Sequence, residues 1–231
     1  MTPGRLLAAL LLCSVVEAAR ADLVASPDLA ARVEALPRLD TVDAASARIN
    51  AQLADLDAEA EITASVCIPD PPRSFFERSI TVAFEGPGFV SLLDSSYLYC
   101  PGAAHPNAYI IPLTFNLATG EEVKWRGLFP AGLLAEDSHP WPGSVKASAA
   151  LVALYFGQAE AIDGECRDEI AWPPVYFRVW PDAAEHGLVL MPSSLPHSMQ
   201  ACADPVTIPL EVLRAEGFAP VLTEAIAGSM P

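Results

Sequence analysis

The chain is short of positive charge. Lys and Arg number 13 against 29 Asp and Glu, a formal net charge of −16. That field argues against nucleic acid and anionic membrane surfaces and favours cationic partners. Histidine is scarce, with four residues in no HxH or HExxH spacing, so the zinc-protease pattern is excluded. The cysteines form no CxxC pair, which argues against a zinc knuckle or a thioredoxin-type redox centre. There is no GxSxG elbow, no Gly-rich phosphate loop and no basic patch. Charged residues make up only 18% of the chain and apolar ones 52%, so it can build a core and is not a disordered acidic segment.

No apolar run reaches the roughly 20 residues needed to span a bilayer. The longest early one, Leu6–Val16, follows the basic residue Arg5 and precedes the small-x-small triplet Ala19-Arg20-Ala21. Charged start, short apolar stretch and small-residue site are the three parts of a secretory signal, so residues 1–21 read as a signal peptide cleaved near Ala21. Processing as a lipoprotein at Cys13 is disfavoured by the large Leu12 before it; a retained N-terminal anchor is the other alternative. Removing 21 of 231 residues leaves 210, and removing Arg5, Arg20 and Glu17 leaves 11 basic and 28 acidic residues, a net charge of −17. The mature chain then has no membrane span, and it is expected in the periplasm or secreted.

Four cysteines remain, Cys67, Cys100, Cys166 and Cys202. An even number in an exported domain points to two disulfides with three connectivities to choose from. The 22 prolines predict many stiff loops. Residues 22–36 read as an irregular leader with a short helix at Asp28–Leu36, and residues 37–231 as one domain. Ala45, Ile49, Leu53 and Leu56 recur at helical spacing and predict a helix from Thr41 to about Ala60, capped by Asp40 or Thr41. Ser79–Phe84 and Phe89–Tyr99, separated by Glu85-Gly-Pro-Gly88, predict a hairpin. With Phe84 facing Phe89, position 100 lies opposite position 73, near where the chain arrives after Cys67. On that register the expected pairs are Cys67–Cys100 and Cys166–Cys202. Ala108–Asn116 predicts a third strand, at an edge or carrying a bulge because of Pro112. A turn at Ala118-Thr-Gly120, a helix at Val145–Gln158 followed by Cys166 in a loop, and strands at Val175–Val179, Gly187–Met191 and Val206–Leu210 complete the pattern, with a last helical turn from Pro209. The class is α+β: a mixed, largely antiparallel sheet with two main helices packed on it.

Tyr97-Leu-Tyr99, Gly102-Ala-Ala-His105-Pro106-Asn107, Leu113-Thr-Phe-Asn-Leu117, Thr119-Gly120 and Leu128-Phe129 together resemble a known exported domain. It is the domain of unknown function that forms the extracytoplasmic part of the lysozyme-sensing anti-sigma factor RsiV and accompanies the catalytic domain of PdaC-type peptidoglycan deacetylases. Pro37-Arg-Leu with Ile49-Asn50 and Leu53, and Phe177-Arg-Val, Gly187-Leu188, Val206–Pro209 and Leu213, resemble its flanks, so the likeness covers about 37–215. Three departures stand out. Pro101-Gly-Ala-Ala-His-Pro106 replaces Gly-Gly-Ala-His-Pro, Met191-Pro-Ser-Ser-Leu-Pro196 replaces the strand that ends in tyrosine, and RsiV's membrane and sigma-binding parts are absent. Sigma regulation is therefore not carried over. The resemblance implies that the loop Gly102, His105, Pro106 and Asn107 takes part in binding, and that lysozyme or a cell-wall component is the natural partner.

His105 is the most tempting catalytic residue. A His-Pro pair after a strand more often pins its own loop through hydrogen bonds, and a metal site would need His139, His186 or His197 and an Asp to converge on it. Glu121-Glu122 and Asp168-Glu169 read as solvated faces, as carboxylate pairs in an acidic protein usually are. Trp125, Trp141, Trp172, Tyr176 and Trp180 lie near Pro-rich turns, where an exposed ring would serve binding. No catalytic residue, metal or cofactor is assigned. The expected function is a periplasmic, non-catalytic binding module of the cell envelope. The alternative is a cell-wall hydrolase using His105 with a nearby carboxylate.

Overall fold

The computed structural model describes residues 22–40, 42–68, 73–136, 143–159, 162–171 and 175–229. The predicted signal peptide, Thr41, His139, Trp141 and Trp172 lie outside them.

Helix α1 runs Ala44–Cys67. Its cap is Asp43, whose carboxylate accepts from the amides of Ala45 and Ser46, and not Asp40. The helix also passes the expected end near Ala60, because Ala60, Ala64 and Cys67 continue the buried stripe of Ala45, Ile49 and Leu53. One member of that stripe is an acid, Asp57. The described residues before α1 hold no helix, contrary to the expectation at Asp28–Leu36. It contributes β1 (Leu23–Val24) and β2 (Arg38–Leu39), an antiparallel pair, and it buries Val33 and Leu36 completely.

The hairpin forms β3 (Phe75–Gly86) and β4 (Phe89–Tyr99). Its register differs from the expected one: Gly86 pairs with Phe89 and Phe84 with Ser91, so the turn is two residues tighter. A bulge between Val82 and Phe84 then takes back one residue, and by Tyr99, opposite Phe75, the strands are one residue out of the expected register. Cys100 still reaches Cys67. Strand β5 (Asn107–Asn116) lies at the edge of this three-stranded sheet, as Pro112 predicted.

A second antiparallel sheet has the order β6-β7-β8-β9, with β6 Ser144–Lys146, β7 Tyr176–Asp182, β8 Gly187–Pro192 and β9 Val206–Pro209. Val145 belongs to β6, so the helix expected over Val145–Gln158 is shorter. It is α2, Ala149–Gln158, capped by Ser148. Cys166 sits on a helix, α3 (Gly164–Ala171), and not in a loop. After β9 come α4 (Leu210–Glu216) and α5 (Pro220–Gly228).

The class is α+β with antiparallel strands, divided among sheets of two, three and four strands. Helix α1 covers one face of the three-stranded sheet through Ile49, Leu53, Val90, Leu92 and Phe115. The other helices cover the far face of the four-stranded sheet, on Tyr155, Phe177, Val179, Leu190 and Ile208. The two larger sheets meet over Ala83, Trp180, Val189 and Met191, with Leu93 and Ile110 packed alongside. The bulged Ala83 fastens this seam, its carbonyl accepting from the Ala183 amide at 2.8 Å. Both expected disulfides are present, Cys67–Cys100 and Cys166–Cys202.

Candidate functional site

Alternation along β7 decides which side chains can meet a ligand. Phe177 and Val179 point into the helix-covered core, while Trp180 lies in the seam between the sheets. Arg178 alternates with them onto the seam side, where its cross-strand partner is Met191. Around Trp180 the sheets are in contact. At Arg178 they part, and the opening is a cleft of about 680 Å3. That volume is in the range of small-molecule sites.

One wall is the segment that leaves β4. Cys100 is tied to α1 by its disulfide, and the Cys100 carbonyl accepts from the Ala103 amide. Gly102 turns the chain at φ 87°, a conformation that suits glycine. Exposed Gly102, His105 and Pro106 lead to half-buried Asn107, the first residue of β5. Of these four predicted residues, His105, Pro106 and Asn107 line the cleft. Gly102 shapes the turn before them.

The opposite wall is a 3-10 turn, His197–Cys202, tied to α3 through Cys166–Cys202. The His197 ring stacks on His105 across the cleft, with centroids 3.8 Å apart and planes 19° from parallel. His105 Nδ1 also lies 3.0 Å from the Pro106 carbonyl, so the ring is oriented by its own loop. Tyr97, Tyr109, Ile110, Ser193 and Gln200 complete the surround. No Asp or Glu is among the described residues that line the cleft. His105 is thus exposed in an open cleft, as a hydrolase would require, but without the carboxylate that such a mechanism needs.

Among the described residues the histidines do not converge on one centre. His197 meets His105, His186 lies in the β7–β8 turn at φ 51°, and His139 is outside the described residues. Among the described residues, no group of three His, Cys, Asp or Glu side chains comes together. Of the aromatic residues near Pro-rich turns, Trp125 and Trp180 are core residues, 5% and 4% exposed, as most aromatics in such a domain are. Tyr176 is half-buried on β7.

Arg178 was not legible as a site residue, since a lone arginine between Phe177 and Val179 reads as the solvent-facing half of a strand. A buried ionic cluster was missed for the same reason. Arg78 grips both oxygens of Asp94 at 2.7–3.0 Å and reaches Asp57 on α1 at 2.7 Å. Asp57 also holds Arg38 at 2.7 Å and accepts the Leu36 amide. Burial alone would lower the Arg78 guanidinium, but the Asp94 and Asp57 carboxylates outweigh it and raise it above its ordinary value. This cluster ties β2, α1, β3 and β4 together and is structural, with every charge answered.

No family model matches the chain, and no curated protein matches it. Two solved structures have a loose likeness to it. One is a member of the DUF3298 family from Bacteroides fragilis NCTC 9343, at TM-score 0.46 and 15% identity, covering 77% of this chain and 67% of that one. The other is a DUF3298 family protein from Pseudomonas aeruginosa PAO1, at TM-score 0.43 and 17% identity, covering 74% of this chain and 71% of that one. Structural neighbours of this chain are therefore proteins of a domain family of unknown function, and likenesses this loose assign no role to any residue here.

Proposed function

We propose that this chain is an exported, non-catalytic binding module of the cell envelope, and that it takes a cell-wall component in the cleft between its two larger sheets. The observation that carries the reading is the lining itself. Aromatic rings, amides, two stacked imidazoles and a guanidinium face one opening, with no Asp or Glu among the described residues that line it. Export rests on the leader at residues 1–21 and agrees with two disulfides, which persist in oxidising compartments. Among the described residues, no helix is long and apolar enough to cross a membrane. The motif loop at His105, which carried the resemblance to the RsiV and PdaC accessory domain, forms one wall of the cleft, and this supports a cell-wall ligand.

Calorimetric titration of the disulfide-intact protein with purified soluble peptidoglycan fragments tests the proposal. Binding is expected, and His105→Ala should weaken it about tenfold, the order of one well-placed aromatic or polar contact. Absence of binding at millimolar fragment sinks the reading.

A second reading, lysozyme as the partner, is favoured by the net charge of −16, which would steer a strongly cationic protein inward. Pull-down and inhibition of lysozyme at low and high salt check it. No salt-sensitive association at micromolar protein removes lysozyme as a candidate.

A further inference from the structure

We infer that the cleft selects its ligand by a free carboxylate, gripped by Arg178, and that the ligand is a short peptide ending in that carboxylate. The inference rests on the cleft being the binding site and names what it takes.

Several other arginines of this chain are satisfied by acceptors. Arg78, buried, has two carboxylates. Arg38 has Asp57, and even exposed Arg32 pairs with Glu77 at 2.7 Å. Arg48 and Arg126 donate to the carbonyls of Thr119 and Ala135. Arg178 is half-buried and lines the cleft, yet it makes no hydrogen bond or ion pair with a described residue. A guanidinium carries five donors, and withdrawing it partly from water without an acceptor is costly. Burial accordingly pulls it below its ordinary value, with only the Tyr109 phenol opposing. The described lining of the cleft contains no Asp or Glu, so nothing in it repels an anion.

The surround then narrows the anion. One guanidinium matches the single charge and two oxygens of a carboxylate, which it binds side-on through two parallel hydrogen bonds. A phosphate dianion would call for further fixed positive charge, and Arg178 is the only Arg or Lys among the described lining residues. Asn107 and Gln200 supply amides suited to peptide groups, while Tyr97, Tyr109, Ile110 and Met191 supply surface for small apolar side chains. On the same face of β7, the buried Trp180 indole N–H is a second donor without a partner among the described residues. The seam side of this strand therefore lacks acceptors at two successive positions.

The test uses the full disulfide-bonded chain and two probes, N-acetyl-D-alanyl-D-alanine and its C-terminal amide, titrated by calorimetry and by NMR of arginine Nε–H groups. The acid should bind roughly tenfold or more tighter than the amide, as a charge-assisted hydrogen bond is worth about 1.5–3 kcal/mol. The acid should also shift the Arg178 Nε–H resonance. Arg178→Gln should abolish the preference for acid over amide, and Arg178→Lys should keep part of it. N-acetyl-L-alanyl-L-alanine separates the two sources of such a terminus, since a stem-peptide site prefers the D form and a site for protein C-termini the L form. Equal affinity for acid and amide, or a preference that survives Arg178→Gln, overturns the carboxylate inference and leaves the cleft as a binding site. If no dipeptide binds at millimolar concentration, the inference is overturned as well, and the titration with peptidoglycan fragments alone then decides the broader reading. Should Arg178→Gln fail to fold, the comparison of acid with amide on the native protein and the Arg178 resonance still decide.

Discussion

At the scale of single residues, the chain treats its buried charges in two opposite ways. Arg78 is 3% exposed and fully answered by Asp94 and Asp57. Replacing it by Met leaves Asp94 without its partner, and breaking such a pair on one side costs about 3–5 kcal/mol. Arg78→Met should therefore shift the urea midpoint well below that of the wild type, and a loss under about 1 kcal/mol would mean the cluster is relaxed in solution. Asp43 offers a pH test. The Ser46 amide first, and then Ala45 and the Ser46 hydroxyl, hold its carboxyl below the ordinary 3.8. A carboxyl lowered on folding stabilises fully above its unfolded value and loses that contribution as pH falls through the lowered one. Asp43→Asn caps the helix without titrating. Unfolding measured from about pH 5 downward should show the wild type losing more stability than the variant. Residue roles were the least legible part of the sequence. The apolar stripe reads through Leu56, but it is the neighbouring Asp57 that α1 buries, and only its distant partners, Arg38 and Arg78, explain that. His105 was legible because a motif surrounds it. His197 was named only as one histidine among several, because nothing local shows which of them crosses to the other wall.

At the scale of elements, the predictable parts were those whose signals are local. The hairpin, the Pro112 edge strand, the turn at Gly120 and the β7–β8 pair all follow from alternation and turn chemistry. What failed was length and register. Helix α1 ran on because no Gly or Pro interrupts it before Pro69, and α2 began late because Val145 satisfies a strand pattern as well as a helical one. The hairpin slip arises at the turn, which closes on Pro87-Gly88 alone, and the bulge at Ala83, whose carbonyl accepts from the Ala183 amide just after β7, takes back one residue through a contact that no local pattern encodes. The disulfides close segments of 33 and 36 residues, so each should contribute about 2–4 kcal/mol by restricting the unfolded chain. Replacing Cys166 and Cys202 together by serine should lower stability by that amount. It should also loosen the His197 wall, which hydrogen exchange of residues 197–203 would report. Unchanged exchange there would show that packing alone holds the turn.

At the scale of the whole molecule, acidity is the dominant quantity. A net charge of −16 repels itself in the compact state, and salt relieves that repulsion. The melting temperature should rise as ionic strength goes from roughly 10 mM to roughly 150 mM, where the screening length falls from about 30 to about 8 Å. A fall would mean that favourable surface pairs outweigh net repulsion. Such a test separates global charge from the cleft, whose described lining runs against it in sign.

The placement of the two disulfides has a further meaning. One closes the chain just before the His105 loop, and the other fixes the end of the His197 turn, so each bridge tethers one jaw of the same opening. A reduced chain would have the same residues but slack jaws. On the function proposed above, ligand capture would be contingent on oxidation, and reducing both bridges should weaken it.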